Sequence, residues 1–232
     1  MALNGWRIRF IESAIDQAFG GTVAGLRMLE LGDQIMRGAD FPEETGKEYF
    51  ANRGFEHVSV DHNGEHGAIA LDLRRPEQFE EWHGAWDVIT NSGTTEHVDP
   101  HERQYECFGI IHDCLRVGGV AVHMIPDVHE RDERGWRVRH CQNYYSAAFF
   151  DLLAKECQYE LLSNTVIEGL RCAAVKKPKD TPFMRDRSKL LAAIARRPFP
   201  VSFRVKSFLK RIGVGNVLGH LGLVKDGSWR GY

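Results

Sequence analysis

The chain lacks a charge excess of either sign, a long apolar run and any pairing of its cysteines. Its formal net charge is -2 over 232 residues, so no bulk electrostatic case exists for a nucleic-acid partner. No stretch is apolar over enough residues to cross a bilayer. The first residues, MALNGWRIRF, lack the apolar centre of a secretory leader. Cys107, Cys114, Cys141, Cys157 and Cys172 are odd in number and form no C-x-x-C pair. They are expected as free thiols of a cytoplasmic protein, not as disulfides or zinc ligands. Internal repeats and low-complexity tracts are absent. One further lack is local. The segment MLELGDQIMRG ends an apolar run in acid-Leu-Gly, as many nucleotide-binding domains leave their first strand. The Gly-x-Gly that usually follows is missing, and Asp33 and Gln34 stand in its place.

The remaining pattern alternates strands with helices. Ile8, Ile11, Ile15, Ala18 and Phe19 recur at helical spacing, and Gly20-Gly21 ends them. LRMLELG reads as a buried strand, PEETGKEYFANRG as a helix, HVSVD and AIALDL as the second and third strands, and RPEQFEEWHG as a short helix. WDVITN is the fourth strand. The next helix is expected to open with Asp99 as N-cap, Pro100 at its first position and Glu102 closing a capping box, and to end at VGG. VAVHMI follows as strand five, then a charged loop, the helix YSAAFFDLLAKE, and two strand-like stretches joined by a Glu-Gly turn. The pattern predicts an α/β fold: a Rossmann-like sheet of about seven strands, mostly parallel, with a C-terminal antiparallel hairpin and helices on both faces.

Open sheets of this kind bind ligands beyond the carboxyl ends of their strands, at the switch point. The residues expected there are Glu30, Gly32, Asp33 and Gln34 after strand one, and Asp61 and His62 after strand two. Asp72 and Leu73 follow strand three, and Asn91, Ser92 and Gly93 follow strand four. This set is acidic and has no Lys or Arg. It suits a ligand with ribose, adenine and a positive centre better than a pyrophosphate, which prefers glycine-rich backbone amides and a cation. Asp61 is placed to accept from ribose hydroxyls and Asp72 from an adenine amino group.

At these residues the chain resembles the class I S-adenosylmethionine-dependent methyltransferases, over roughly residues 22 to 178. LELGDQ matches the first half of that family's first motif. VSVD resembles its second motif, ALDL its third, WDVITNSGTTEHV its fourth, and CLRVGGVAVHMI the Leu-Arg-x-Gly-Gly before its strand five. The resemblance implies S-adenosyl-L-methionine as cofactor and methyl transfer to oxygen or nitrogen of a small-molecule or carbohydrate-like acceptor. Gln34, where the family has its second glycine, is the departure. A hydroxyl acceptor needs help losing its proton, and a histidine is the usual means. His97 after strand four comes first and His129 after strand five second. A nicotinamide-dependent oxidoreductase is the weaker enzyme reading, because no G-x-G-x-x-G follows strand one. A non-catalytic methyltransferase-like scaffold is the alternative from another class.

No metal site is expected. His97 and His101 are four apart, but Asp99-Pro100 starts a helix between them, so they do not share a face. His129, Glu130, Asp132 and His140 form a polar mouth after strand five, and Cys141 beside it reads as a packing residue. The methyltransferase-like domain is placed at 1–178 and a basic helical extension at 179–232. From Arg185 to Arg211 there are nine Lys or Arg and one acid. An amphipathic helix over 201–212 is expected to bury its apolar face on protein, either the domain itself or a second subunit, in preference to an anionic membrane surface.

Overall fold

A computed structural model describes residues 2–38, 41–130 and 141–196. Its main sheet has seven strands: β1 (Arg27–Leu31), β2 (Glu56–Asp61), β3 (Ile69–Ala70), β4 (Trp86–Ser92), β5 (Leu115–Pro126), β6 (Glu160–Ile167) and β7 (Leu170–Lys176). Their order across the sheet is β3-β2-β1-β4-β5-β7-β6. All neighbours are parallel except those of β7, which is antiparallel to both β5 and β6. The chain therefore runs outward from β1 through β2 and β3, returns to β4, and leaves a switch point between β1 and β4.

Side-chain alternation along the strands builds a core on each face. Val88, Val120, Val122, Met124, Cys172 and Ala174 point to one face, where α1 (Gly5–Phe19) and α2 (Gly46–Ala51) pack. Ile89, Ala121, Ile125, Ala173 and Val175 point to the other, against α3 (Gln104–Cys114), α4 (Ala147–Cys157) and α5 (Arg187–Ala193). The predicted α/β architecture and the closing hairpin are borne out. Its two turn residues, Glu168 and Gly169, have φ of 49° and 78°, the left-handed pair that matches hairpin twist.

Local signals set the helix ends. The Asn4 side chain accepts from Arg7 N–H at the start of α1, and Gly20 closes it at φ 67°. Thr45 and Glu48 form a reciprocal capping box on α2. That helix is shorter than the expected 42–54, because its cap sits at Thr45 and not near Pro42. Strand AIALDL shrinks to Ile69–Ala70, since the chain turns away with Arg75 N–H donating to Asp72 O. The capping box expected at Asp99 and Glu102 is not formed. A 3-10 turn over His101–Arg103 leads into α3, and no side chain caps either start. α3 ends at Cys114, and the VGG expected to close it already belongs to β5.

Residues through Arg196 belong to one compact unit. Met184, Leu190 and Ile194 are buried in its core, and Ala195–Arg196 pairs antiparallel with Asn143–Tyr144. The first part of the extension proposed from 179 thus packs on the sheet domain. The helix expected over 201–212 lies outside the described residues, as do Asp132 and His140. Among the described residues no helix is long and apolar enough to cross a membrane.

The open end of β5 is tied to the hairpin by a buried ion pair. Arg171 Nε and Nη2 donate to Asp127 Oδ2 at 2.9 and 2.5 Å, and the side chains are 9% and 2% exposed. Removing one partner strands a buried charge, which typically costs about 3–5 kcal/mol. Arg171→Met is expected to lower unfolding free energy by about that much in urea denaturation. A loss under about 1 kcal/mol would place the pair among weak surface-like interactions.

Candidate active site

The site is built from the loop that leaves β1. Gly32 has φ +89° and donates its N–H to Val60 O at 2.7 Å. A side chain there would collide with Thr94 Oγ1 and come within 2.8 Å of Gln34 Nε2, so only glycine fits. Thr94 Oγ1 donates to Leu31 O at 2.6 Å, stitching the end of β1 to the turn after β4. Beyond Gln34 the chain does not enter a helix. Ile35–Met36 pairs with Ala2–Leu3 as a short parallel strand, and α2 begins only at Gly46. Gln34, at the position of the family's second glycine, opens this different route. Gln34 is 2% exposed, its N–H donates to Glu30 Oε1 at 3.2 Å, and its carbonyl accepts from Gly46 N–H at 2.8 Å.

A crevice of about 450 Å³ opens beyond the carboxyl ends of β1 to β4. Of the residues expected there, Gly32, Asp33, Gln34, Asp61, His62, Asp72, Leu73, Gly93 and His97 line it. Asp61 Oδ2 accepts from Asp33 N–H at 3.3 Å, and Oδ1 accepts from Asn63 N–H at 3.1 Å and lies 2.9 Å from His62 Nδ1. The Asp33 carboxylate pairs with His66 Nδ1 and pushes that imidazole's pKa upward. Arg74 also lines the crevice and grips the Asp72 carboxylate through Nε and Nη2 at 2.7–3.0 Å, holding its pKa down. This corrects the expected absence of cations. The Asp72 carboxylate thus lines the crevice already paired with a cation.

Glu30, Asn91 and Ser92 do not line the crevice; they lie beneath it, at most 2% exposed. The Asn91 side chain donates to Thr95 Oγ1 at 2.8 Å and accepts from Thr95 N–H at 3.3 Å, which locks the turn after β4. Burial pushes the Glu30 carboxyl up, opposed by His57 at 3.7 Å. His129 is exposed and is not among the lining residues; its backbone N–H donates to Asp127 Oδ1. His101 is not among the lining residues; its Nδ1 lies 2.7 Å from Asn143 Oδ1 and its Nε2 3.1 Å from Leu191 O. A hollow of about 670 Å³ between His83, Arg116 and Lys177 lies at the opposite, amino end of β4 and β5, away from the switch point.

Sequence reading missed Thr94, Arg74, Val98 and Asp99 as lining groups. Thr94 and Val98 lie inside the quoted WDVITNSGTTEHV, and Arg74 and Asp99 directly follow quoted motifs, which was the available signal. It also missed Glu96. This carboxyl is fully buried, neither oxygen has a hydrogen bond among the described residues, and burial pushes it up to about 8. His97 Nε2 lies 3.6 Å away, and the His97 side chain is half exposed.

A family model described as a methyltransferase domain matches residues 3–164, well over half of the chain. The chain belongs to that family, and the resemblance to class I S-adenosylmethionine-dependent methyltransferases is borne out. A search of curated proteins finds no match. Among solved structures it is similar to the Burkholderia thailandensis 1,6-didemethyltoxoflavin-N1-methyltransferase, bound to 1,6-didemethyltoxoflavin and S-adenosylhomocysteine. That pair is 14% identical over 74% of this chain and 80% of that one, with TM-score 0.46. The PH0226 protein of Pyrococcus horikoshii OT3 gives 14%, 74%, 89% and 0.49. A SAM-dependent methyltransferase of Archaeoglobus fulgidus gives 14%, 72%, 92% and 0.43.

The Glu96 carboxyl generates a pH prediction. With its folded pKa raised above the unfolded value, the folded state holds a proton that the unfolded state releases. Stability therefore falls as pH rises from about 4.5 to about 8. Glu96→Gln cannot ionise. In metal-free buffer its advantage over the parent chain should grow between pH 5 and 8, toward an upper bound of about 5 kcal/mol. Parallel stability profiles for the two proteins would contradict this burial effect.

Proposed function

We propose that this enzyme transfers a methyl group from S-adenosylmethionine to oxygen or nitrogen of a small-molecule or carbohydrate-like acceptor, in the cytoplasm. The supporting observation is the crevice itself, whose size falls within the usual range for small-molecule sites. It joins a backbone cradle at Gly32 to the Asp61 carboxylate, with Asp72 and Leu73 on the next wall. The cradle would fill with any Cβ, and the buried Gln34 Oε1 beside it has no hydrogen-bond partner. Both features fit the adenosyl group. Asp61 retains lone pairs for ribose hydroxyls, Asp72 and Leu73 take the adenine side, and Gly93 adds a wall without a side chain.

S-adenosylmethionine supplies a methyl carbon already activated by its sulfonium. The chain's task is then to hold that carbon against the acceptor and keep water out. His97, at the crevice wall, is the group placed to take a proton from the acceptor. His129 does not line the crevice, so the second candidate base is given up. Asn91 acts from below by fixing the turn after β4, and Ser92, buried and outside the crevice lining, is given up as a cofactor contact. A polar mouth with Asp99, His97 and Arg74 favours a hydrogen-bonding acceptor over a purely apolar one.

Calorimetric titration with S-adenosylhomocysteine and, separately, with NAD tests the reading. The first should bind and the second should not. Asp61→Ala should weaken S-adenosylhomocysteine binding by about 1–3 kcal/mol, the usual loss for hydrogen bonds to a charged group. Preference for NAD would support an oxidoreductase, and silence toward both a non-catalytic scaffold.

A further inference from the structure

We propose that Glu96, His97 and Cys141 hold a divalent transition-metal ion, of the zinc type, at the edge of the crevice. One ligand atom from each of the three residues lies within 4.8 Å of the other two. The donors are carboxylate oxygen, imidazole nitrogen and thiol sulfur, the mixture that borderline ions such as Zn²⁺ take. Glu96 supplies the independent observation. It is 0% exposed, and both of its oxygens are buried without a hydrogen bond among the described residues. A carboxyl in that position costs free energy unless a cation or donor meets it.

The backbone is arranged to keep the set together. Glu96 O accepts from Gln142 N–H at 3.0 Å and from Asn143 Nδ2 at 3.3 Å. These bonds clamp the turn after β4 against Gln142 and Asn143, next to Cys141. Thr95, held by Asn91 and by Gln104 Nε2 at 2.7 Å, fixes the same turn from the other side. Among the described residues three donors are brought together, the number that catalytic zinc sites take from the protein. His97 also lines the crevice, so the ion would sit beside the acceptor. There it would lower the pKa of an acceptor hydroxyl so that the proton passes to bulk water; His97 is then a ligand while the ion is bound, and the free base of the reading above only without it. That use rests on methyl transfer as proposed above; the binding of the ion does not.

The test uses untagged, chelator-stripped full chain. Cobalt(II) titration should saturate at one ion per chain, with a thiolate-to-metal absorption band. Cys141→Ser should abolish the band. Glu96→Gln should weaken Zn²⁺ binding, read by competition with a chromophoric chelator, by more than tenfold, since even outer-shell changes cost 10–100-fold. His83→Ala, an exposed histidine outside the cluster, should change nothing. Absence of stoichiometric binding, or a band that survives Cys141→Ser, overturns the proposal. S-adenosylhomocysteine is titrated in parallel. Its binding without metal binding sinks the ion alone; metal binding without it sinks the methyl-transfer reading and leaves the ion site standing.

Discussion

The carboxyl of Glu30 is shut in at the end of β1, and the course of the chain after the first strand turns on it. Its Oε1 accepts the Gln34 N–H. Its Oε2 lies against Gly46, where a Cβ would come within 2.5 Å, and 3.7 Å from the buried imidazole of His57 on β2. One side chain thus joins β1, the following loop, the start of α2 and the second strand. Gly46 has to be glycine to admit it. The loop is drawn inward at Gln34, and the Asp33 N–H is left pointing to Asp61. The crevice floor is a consequence of that arrangement.

The same constraint accounts for the missing glycine. In a loop that runs directly into a helix, the second glycine lets the backbone approach a ligand. Here Gln34 sits over Glu30, and the chain leaves as the short strand Ile35–Met36. A second glycine would offer nothing that Gln34 N–H and its carbonyl do not already use. The end of β4 is handled in a similar way. Asn91, Thr94 and Thr95 spend their polar groups on the strand ends and on one another. Gly93 and His97 are left on the crevice wall.

The sheet was legible because its signals are periodic: apolar runs of strand length, helical spacing in α1, and a two-residue Glu-Gly turn that admits only an antiparallel hairpin. The one N-cap read from the sequence, Asp99, lost its role to a 3-10 turn that no spacing announces, while Asn4 and Ser146, which the reading did not single out, cap as their types prefer. The site was half legible. Strand-end acids mark Asp61 and Asp72 because any parallel sheet presents those ends together. The sequence does not say that Glu30 turns under the loop, that Arg74 folds back on Asp72, or that Cys141 comes beside Glu96 from 45 positions away along the chain. Those facts depend on side-chain direction and on long-range register.

The central claim is that the β1–β4 crevice binds the adenosyl group through Asp61 and the Gly32 loop. A crystal structure of the complex with S-adenosylhomocysteine tests it most directly. The account predicts both ribose hydroxyls on the Asp61 carboxylate, the adenine against Leu73, and Gln34 in contact with the ligand or beneath it. A ligand seated elsewhere, or one that reaches this crevice with Asp61 turned away and Gln34 swung into solvent, would contradict it.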